Sequence, residues 1–451
     1  MLLQTTVFAL KKDRKRKMEK NKETLHVLKF EPSRLAEVRG ISKDKAIEIS
    51  DQFNENWELW QIVGFLEKFG IGVQNAQNVY EILGVNAIEE IEANPYILID
   101  VANNVDFKLI DKMAMNLGFE YNNEKRIKSG IKYAISKATA NGHCAVLEDE
   151  LYRFIKVLLG VENDEIEDSV IELKAKGEIV IEEREDNNWI YLDSYYKAEE
   201  NIVNKLITLD KARNMKHIND FEDELEKIEQ KTDLILSDKQ KEAIEAVNDN
   251  NVCIITGGPG TGKTTIIKVI LELYKSKKRK TVLCAPTGRA AKRMTETTGE
   301  EAKTLHRLLE ISKIEEERTS KYNDFDVAPL DADVIIVDEM SMVDLFLMNY
   351  LVKAIYQGSK LVLVGDVDQL PSVGPGNVLA DLINSKRIKT IVLNKIFRQA
   401  AKSKIIINSH RVNSGETFIK PQESAEELNQ DFFYIKENNQ DKILNQILSL
   451  C

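Results

Sequence analysis

Several residue types are scarce in this 451-residue sequence, and each shortage excludes a class of protein. The four cysteines (Cys144, Cys253, Cys284, Cys451) form no CxxC pair, which favours a reducing cytoplasm. No apolar run approaches the roughly 20 residues that a membrane-spanning helix needs. The apolar N-terminus precedes the basic run Lys11 to Lys20, the reverse of a secretory signal. We therefore expect a cytoplasmic protein with no membrane-spanning segment.

An excess of positive charge is also missing. The net charge is −11, whereas non-specific affinity for nucleic acid requires Lys and Arg side chains that displace counterions. Any contact with DNA must therefore be local. The clearest basic tract lies in a tail spanning residues 1–30, and a solvated tail or linker is its simpler explanation.

Short helices separated by glycine turns are predicted over residues 31–122. The first unit turns at Gly40, the second turns at Gly70 and Gly72, and a third, from Ile97 to Leu117, lacks the glycine. This pattern is typical of helix-hairpin-helix modules, in which backbone N–H groups at the turn hold a DNA phosphate. We predict DNA contacts at the three glycines, although glycine turns also occur in all-α domains that do not bind DNA.

The remaining chain divides by composition into further segments. Residues 123–195 predict helices followed by alternating strands, which suits a small winged-helix-like unit. Residues 196–235 are helical and charged, so we interpret them as a linker. From residue 236 onward, short β-branched runs alternate with helices, which predicts βαβ units, a parallel sheet and a ligand site at the carboxyl ends of the strands.

The strongest motif is a complete P-loop, Gly257 to Thr264, between a predicted strand and a predicted helix. Its glycines allow successive N–H groups to wrap a β-phosphate at the helix N-terminus. Lys263 supplies a charge to the β- and γ-phosphate oxygens, and the Thr264 hydroxyl is a Mg²⁺ ligand. This spacing predicts nucleotide binding, with ATP and Mg²⁺ as cofactors.

Two further strands end in polar residues. Val334 to Val337 leads into Asp338 and Glu339, and we expect these acids to face the P-loop from the adjacent strand, as a metal ligand and as the group that activates water. The next strand ends near Asp366 and Gln369, which we expect to sense the γ-phosphate. Gln240 and Arg398, taken alone, are a helix-cap residue and a surface cation.

Taken in order, these motifs resemble those of superfamily 1B helicases, and among them the RecD-like ATP-dependent DNA helicases. The resemblance is carried by Gln240, the P-loop, APTGRAA (285–291), TLHRLL (304–309), VDEMSMVD (337–344), VGDVDQLPSVGPGNVL (364–379) and FRQ (397–399). It implies an α/β fold with a RecA-like parallel-sheet motor domain at 236–400, after the all-α helix-hairpin-helix domain and the winged-helix-like unit. A second RecA-like domain is expected to begin at 401–451.

The resemblance also implies roles for individual residues. Gln240 reads adenine, Gln369 couples the γ-phosphate to DNA, and Arg398 acts as an arginine finger. The implied nucleotide contacts are Gln240, Gly258, Pro259, Gly260, Thr261, Gly262, Lys263, Thr264 and Thr265. The implied contacts with the single-strand backbone are Pro286, Thr287, Gly288, Thr304 and His306, the last of which a packed histidine would also explain.

The function implied by the resemblance is an ATP-dependent 5′–3′ DNA helicase of repair or recombination, acting on single-stranded DNA and on duplexes with a 5′ tail. We find none of the family's later motifs after Glu416, so we expect the chain to stop within the second motor domain, to bind ATP and to unwind poorly. One alternative is a DNA-binding remnant that grips without translocating. The other is a relaxase-helicase, which needs a histidine cluster that five dispersed histidines do not supply.

Overall fold

The computed structural model describes residues 26–38, 41–102, 105–185, 187–232, 234–311, 327–395, 403–420 and 431–450. The predictions that concern the basic run 11–20, Gly40 and Arg398 lie outside these ranges. The described chain forms two compact units, one of residues 26–134 with 149–176, and the other of residues 135–148 with 177–450. No helix in the described ranges is both long enough and apolar enough to cross a membrane.

The first unit is built from helices. They are α1 (Lys43–Glu55), α2 (Trp57–Glu67), α3 (Val73–Leu83), α4 (Ala87–Ala93), α5 (Leu98–Val101), α6 (Phe107–Asn116), the first part of α7 (Glu124–Ala140), α8 (Glu148–Leu159) and α9 (Asn163–Ala175). Side-chain caps start several of them. For example, Ser42 accepts the Lys45 N–H and Asp106 accepts the Lys108 N–H. The first predicted helix of the first repeat is only a short 3-10 helix, Pro32–Glu37.

One polar network is buried inside this unit. The Arg126 guanidinium, 3% exposed, donates to both carboxylate oxygens of Asp111 at 2.7 and 2.9 Å. It also donates to the carbonyls of Tyr121 (2.8 Å) and Leu159 (3.0 Å). The Tyr96 hydroxyl donates to the same carboxylate at 2.7 Å. The Arg126–Asp111 ion pair can be buried because nearly every donor and acceptor of the two side chains has a hydrogen-bond partner.

The segment predicted to be winged-helix-like has helices and strands in the order α7, β1 (Ala145–Leu147), α8, α9, β2 (Ile179–Arg184) and β3 (Asn187–Leu192). The strands form an antiparallel sheet in the order β1-β3-β2. Strand β1 is absent from the sequence prediction. Helices α8 and α9 belong almost entirely to the first unit and the sheet to the second, so the winged-helix-like unit stays a prediction.

The segment predicted as a linker, 196–235, contributes to the core of the second unit, which corrects that interpretation. It forms the greater part of α10 (Asp193–Lys211) together with α11 (Phe221–Thr232). Ile202, Leu206 and Leu209 are buried in the same hydrophobic cluster as the strands of the large sheet. These residues form an apolar stripe with helical spacing, which the many charged residues around it conceal in the sequence.

The second unit contains a six-stranded sheet in which every pairing is parallel. The strands are β4 (Val252–Gly257), β5 (Thr281–Ala285), β6 (Ala302–Thr304), β7 (Val334–Val337), β8 (Lys360–Gly365) and β9 (Lys389–Leu393), in the order β6-β5-β7-β8-β4-β9. Strands β4, β7 and β8 are buried throughout, as expected for parallel strands covered on both faces. The predicted α/β fold with a parallel sheet is confirmed.

Further helices belong to this unit. They are α12 (Asp238–Asp249), α13 (Lys263–Ser276), α14 (Gly288–Thr298), α15 (Leu305–Leu308), α16 (Leu345–Ala354), α17 (Val378–Asn384), α18 (Lys404–Asn413) and α19 (Gln440–Leu450). The strand order corrects one expectation, because β8 lies between the P-loop strand β4 and the strand β7 that leads into Asp338. The direct neighbour of the P-loop strand therefore supplies Asp366, and the two acids come from one strand further away.

A fully buried lysine ties this sheet to helix α12. The Lys360 ammonium donates to the carbonyls of Val247 (3.0 Å), Asn248 (2.9 Å) and Asn250 (2.8 Å), at the end of that helix. Burial lowers the pKa of Lys360 from 10.5 to about 8. The folded protein therefore releases this proton at a lower pH than the unfolded chain does.

We predict that Lys360 makes the free energy of unfolding depend on pH between about 8 and 10.5. In this window the unfolded chain binds the proton and the folded chain does not, so stability rises with pH, by up to about 1.4 kcal/mol per pH unit. Urea unfolding at several pH values checks this, with Lys360→Met as the comparison. The difference in stability between wild type and variant should grow in favour of wild type as pH rises, and a constant difference would contradict the assignment.

Candidate active site

A cavity of about 450 Å³ lies at the carboxyl end of the parallel sheet, within the second unit. The residues that line it are Gly258, Pro259, Gly260, Thr261, Gly262, Lys263, Thr264, Thr265, Ile267, Ala290, Arg293, Met294, Thr297, Thr298, Asp338, Glu339, Gln369 and Ile406. Segments more than a hundred residues apart in sequence thus meet at one place. The predicted contacts Gly258 to Thr265, Asp338, Glu339 and Gln369 are among them, whereas Asp366 is not.

The P-loop backbone has a conformation that requires glycine at two positions. Gly260 has φ +76° and Gly262 has φ +87°, and Gly262 is the residue that precedes α13. The Thr261 hydroxyl donates to the Gly258 carbonyl at 2.8 Å and closes the loop on itself. The N-terminus of α13 therefore opens into the cavity, where its N–H groups and helix dipole favour an anion.

Lys263 is the first residue of α13 and turns back over the loop. Its ammonium donates to the carbonyls of Gly257 and Gly258, the second at 3.2 Å. Burial lowers the pKa of Lys263, and the nearby carboxylates, Asp366 foremost, oppose that shift. A cation held this way by weak carbonyl partners can transfer to the stronger acceptors of a phosphate.

The two acids that follow β7 differ in their surroundings. Asp338 accepts the Glu339 N–H at 2.9 Å, and burial raises the pKa of its carboxyl group. Burial also raises the pKa of Glu339, and the charge of Asp338 adds to that shift. Glu339 has φ +54°, an unusual backbone conformation for a residue with a side chain. Its Oε2 atom is buried and has no hydrogen-bond partner in the described part of the chain.

These residues fit a hydrated divalent cation beside a phosphate. The Thr264 hydroxyl and the Asp338 carboxylate line the same cavity, and oxygen ligands of this kind are what Mg²⁺ prefers. The unpartnered Glu339 oxygen is an acceptor that water can satisfy. The donor set is therefore compatible with the metal that the sequence predicts.

The sequence predicts nucleotide contacts for two glutamines, and the structure places only one of them at the cavity. Gln369 lines the cavity and donates to Asp366 at 3.3 Å. Gln240 is 2% exposed and closes a capping box at the start of α12, where its oxygen accepts the Ser237 N–H at 3.0 Å. It does not line the cavity, so its contact with adenine stays a prediction.

In the first unit, the second predicted hairpin has the expected turn. Gly70 has φ +82° between α2 and α3, and Gly72 precedes α3 in an extended conformation. No heavy atom lies within 4 Å of the position that a Cβ on Gly72 would take, within the described residues. The N-terminus of this helix is therefore open to a ligand.

Two family models match the chain. The ATP-dependent RecD2 DNA helicase HHH domain matches residues 55–145, and the AAA domain matches residues 240–375. The ATP-dependent RecD2 DNA helicase of Deinococcus radiodurans is 29% identical over 415 residues, which cover 86% of this chain and 54% of that protein. The RecBCD enzyme subunit RecD of Mycobacterium tuberculosis is 35% identical over 227 residues, 45% of this chain and 37% of that protein.

The chain is therefore similar to RecD-type helicases over most of its length. It spans about half the length of the Deinococcus relative. Among solved structures, the Pif1 helicase from Candida albicans matches 41% of this chain and 45% of that chain, at 24% identity and a TM-score of 0.31.

The segments that the RecD-like resemblance assigns to DNA lie side by side. In the parallel pairing of β5 and β6, Ala285 is opposite Thr304, so Pro286, Thr287 and Gly288 begin where the TLHRLL segment begins. The hydroxyl of Thr287 caps α14 and that of Thr304 caps α15, each accepting a backbone N–H at 3.2 Å. His306 is exposed rather than packed. These contacts with DNA stay predictions.

The sequence prediction omits several residues of the site, and two of these carry basic side chains. Arg293, on α14, lines the cavity. His410, on α18, donates from Nε2 to the Pro259 carbonyl at 3.2 Å, and a Cβ on Gly258 would lie 2.4 Å from its ring. Arg293 lies three residues after Ala290 on the same helix, so helical spacing weakly indicates that it faces the cavity. No motif near His410 indicates a contact with the P-loop, and its segment is predicted to begin another domain.

Proposed function

We propose that this protein is an ATP-driven DNA helicase that moves 5′ to 3′ along single-stranded DNA. The observation that carries the proposal is the cavity in which the P-loop, Thr264, the acids after β7 and Gln369 come together. A P-loop alone supports only nucleotide binding. The acid pair adds the means of hydrolysis, and Gln369 adds a link from the nucleotide to the loop that follows β8.

Each residue has a role that its surroundings support. The N–H groups at the start of α13 and the Lys263 ammonium would hold the phosphates. Thr264 and Asp338 would hold Mg²⁺, which would neutralise charge at the transferred phosphoryl group. Glu339, whose Oε2 has no partner in the described chain, orients the attacking water and accepts its proton. Arg398 is proposed as an arginine finger from the sequence resemblance alone.

DNA is proposed to pass over the carboxyl end of the sheet beside the nucleotide. The segment beginning at Pro286 follows β5, three strand positions from β4, and the segment beginning at Thr304 lies at β6, four positions away. At the usual strand spacing these separations are roughly 14 Å and 19 Å. Between these segments and the P-loop strand lie β7 and β8, the strands that lead into Glu339 and Gln369. The 5′–3′ direction and a role in repair or recombination rest on the family resemblance.

The proposal is tested by measuring ATP affinity, ATPase with and without single-stranded DNA, and unwinding of duplexes with a 5′ or a 3′ tail. Wild type should bind ATP, hydrolyse it faster with DNA and favour the 5′ tail. Lys263→Ala should lower ATP affinity by roughly tenfold or more, because it removes a charge-assisted hydrogen bond. ATP binding with no DNA-stimulated hydrolysis would instead favour a nucleotide-gated DNA-binding protein.

The hairpin turn at Gly72 offers a separate prediction for DNA binding. Aspartate is a good residue before a helix, so Gly72→Asp should leave α3 folded while placing a negative charge where a phosphate would bind. We expect affinity for duplex DNA, measured by fluorescence anisotropy, to fall roughly fivefold. ATPase activity without DNA should not change.

Gly72→Ser is the matched control, because serine caps equally well and carries no charge. It should bind DNA like wild type. Equal DNA affinity in both variants would mean that the turn only supports the helices around it.

A further inference from the structure

One cation in the active-site cavity has no assigned role. Arg293 lies on α14 in a stripe with Ala290, Met294 and Thr297, the residues that present this helix to the cavity. Apart from Lys263, it is the only Lys or Arg among the described residues that line the cavity. A guanidinium carries its charge at every physiological pH, so Arg293 is a permanent cation at this cavity.

Its surroundings do not explain Arg293 as a structural residue. The side chain is exposed, and no hydrogen bond or ion pair connects it to another described residue. The neighbouring Lys292, by contrast, does not line the cavity, and its ammonium lies 3.9 Å from the Glu296 carboxylate on the same helix. An arginine that faces this cavity without a partner among the described residues is available to a ligand.

The charges near Arg293 indicate which part of the nucleotide it reaches. Lys263, Asp338 and Glu339 line the same cavity as Arg293. These are the groups proposed to surround the metal and the attacking water. The P-loop backbone would hold the α- and β-phosphates of a bound nucleotide, so this group of charges would surround the far end of the triphosphate.

We infer that Arg293 donates hydrogen bonds to the terminal phosphate of the bound nucleoside triphosphate. This inference rests on the proposed function, since it assumes that the cavity holds a nucleotide. The planar guanidinium fits two phosphate oxygens at once, which a lysine cannot do. Arg293 thereby gives the site a preference for ATP over ADP, because the diphosphate lacks the group that it binds.

The experiment compares affinities for ADP and for the non-hydrolysable β,γ-imido analogue of ATP, by titration calorimetry with Mg²⁺. Arg293→Ala should weaken binding of the ATP analogue by roughly ten- to a hundredfold, the range of a lost charge-assisted hydrogen bond, and change ADP affinity less than about twofold. Arg293→Lys should recover part of the loss. Lys292→Ala removes the same charge from outside the cavity and should bind both nucleotides like wild type.

Two results would overturn the inference while leaving the proposed function in place. One is wild-type affinity of Arg293→Ala for the ATP analogue, and the other is an equal loss for ADP. If wild type itself bound neither nucleotide, or Lys263→Ala bound both as wild type does, the proposed function would fail. Because Arg293 is exposed, the variant should fold normally, and a thermal melt beside wild type checks this.

Discussion

Replacing Glu339 by glutamine should leave ATP binding intact and lower turnover by roughly 10²- to 10⁴-fold, the usual contribution of a general base. The amide keeps the shape and the hydrogen-bonding reach of the side chain but cannot accept the proton of the attacking water. The position is poised for that step, because burial raises the pKa of the carboxyl group and its Oε2 has no partner among the described residues. Steady-state ATPase with saturating single-stranded DNA measures the loss.

The adjacent carboxylate supplies the control. Asp338→Asn should act through Mg²⁺, so the Mg²⁺ concentration needed for half-maximal turnover should rise, whereas Glu339→Gln should leave that concentration unchanged. Raising Mg²⁺ should therefore restore part of the activity of the first variant and none of the second. Hydrolysis by Glu339→Gln near the wild-type rate would show that another group activates the water.

The pH dependence of turnover offers an independent check on the same group. Turnover requires the ionised carboxylate, so the rate should fall as pH decreases through the raised pKa of Glu339. This acid limb, the fall in rate at low pH, should lie at a higher pH than it would for an exposed glutamate. In Glu339→Gln the limb should disappear from whatever activity remains.

The nucleotide-binding part of this site is predictable from sequence because its chemistry is local. A phosphate cradle needs glycines, a lysine and a hydroxyl at fixed spacing before a helix, and the acids need a strand immediately before them. Arg293 and His410 are different, since their roles depend on which face of a helix meets the cavity. Neither residue stands next to a motif that reveals such a contact.

The fold shows the same division between local and long-range information. Each long β-branched run forms a strand where the pattern predicts one, but the short strands β1 and β6 have only three residues and give no pattern. The strand order follows from crossovers between distant segments, which motif spacing does not record. For this reason the acids were expected on the strand next to the P-loop strand, and β8 is found between them.

In the first unit, Arg126→Met should lower the free energy of unfolding by about 3–5 kcal/mol, the usual result of removing one partner from a buried ion pair. The variant leaves the Asp111 carboxylate without its bidentate partner and the carbonyls of Tyr121 and Leu159 without a donor. Methionine fills a similar volume, so the loss reports on polar groups rather than on a cavity. Hydrogen exchange across α6 and α7 measures the effect on this unit separately from the second.

Two further variants distinguish the contribution of the ion pair to stability from that of the arginine side chain itself. Arg153→Met removes an exposed arginine from the same unit and should change stability by less than about 0.5 kcal/mol. Adding Asp111→Leu to Arg126→Met removes the stranded carboxylate and should recover part of the loss, although the Tyr96 hydroxyl then loses its acceptor. The loss of stability in the double variant is compared with the sum of the losses in Arg126→Met and Asp111→Leu alone. If the two were equal, the loss would come from packing, and the polar network would contribute little stability of its own.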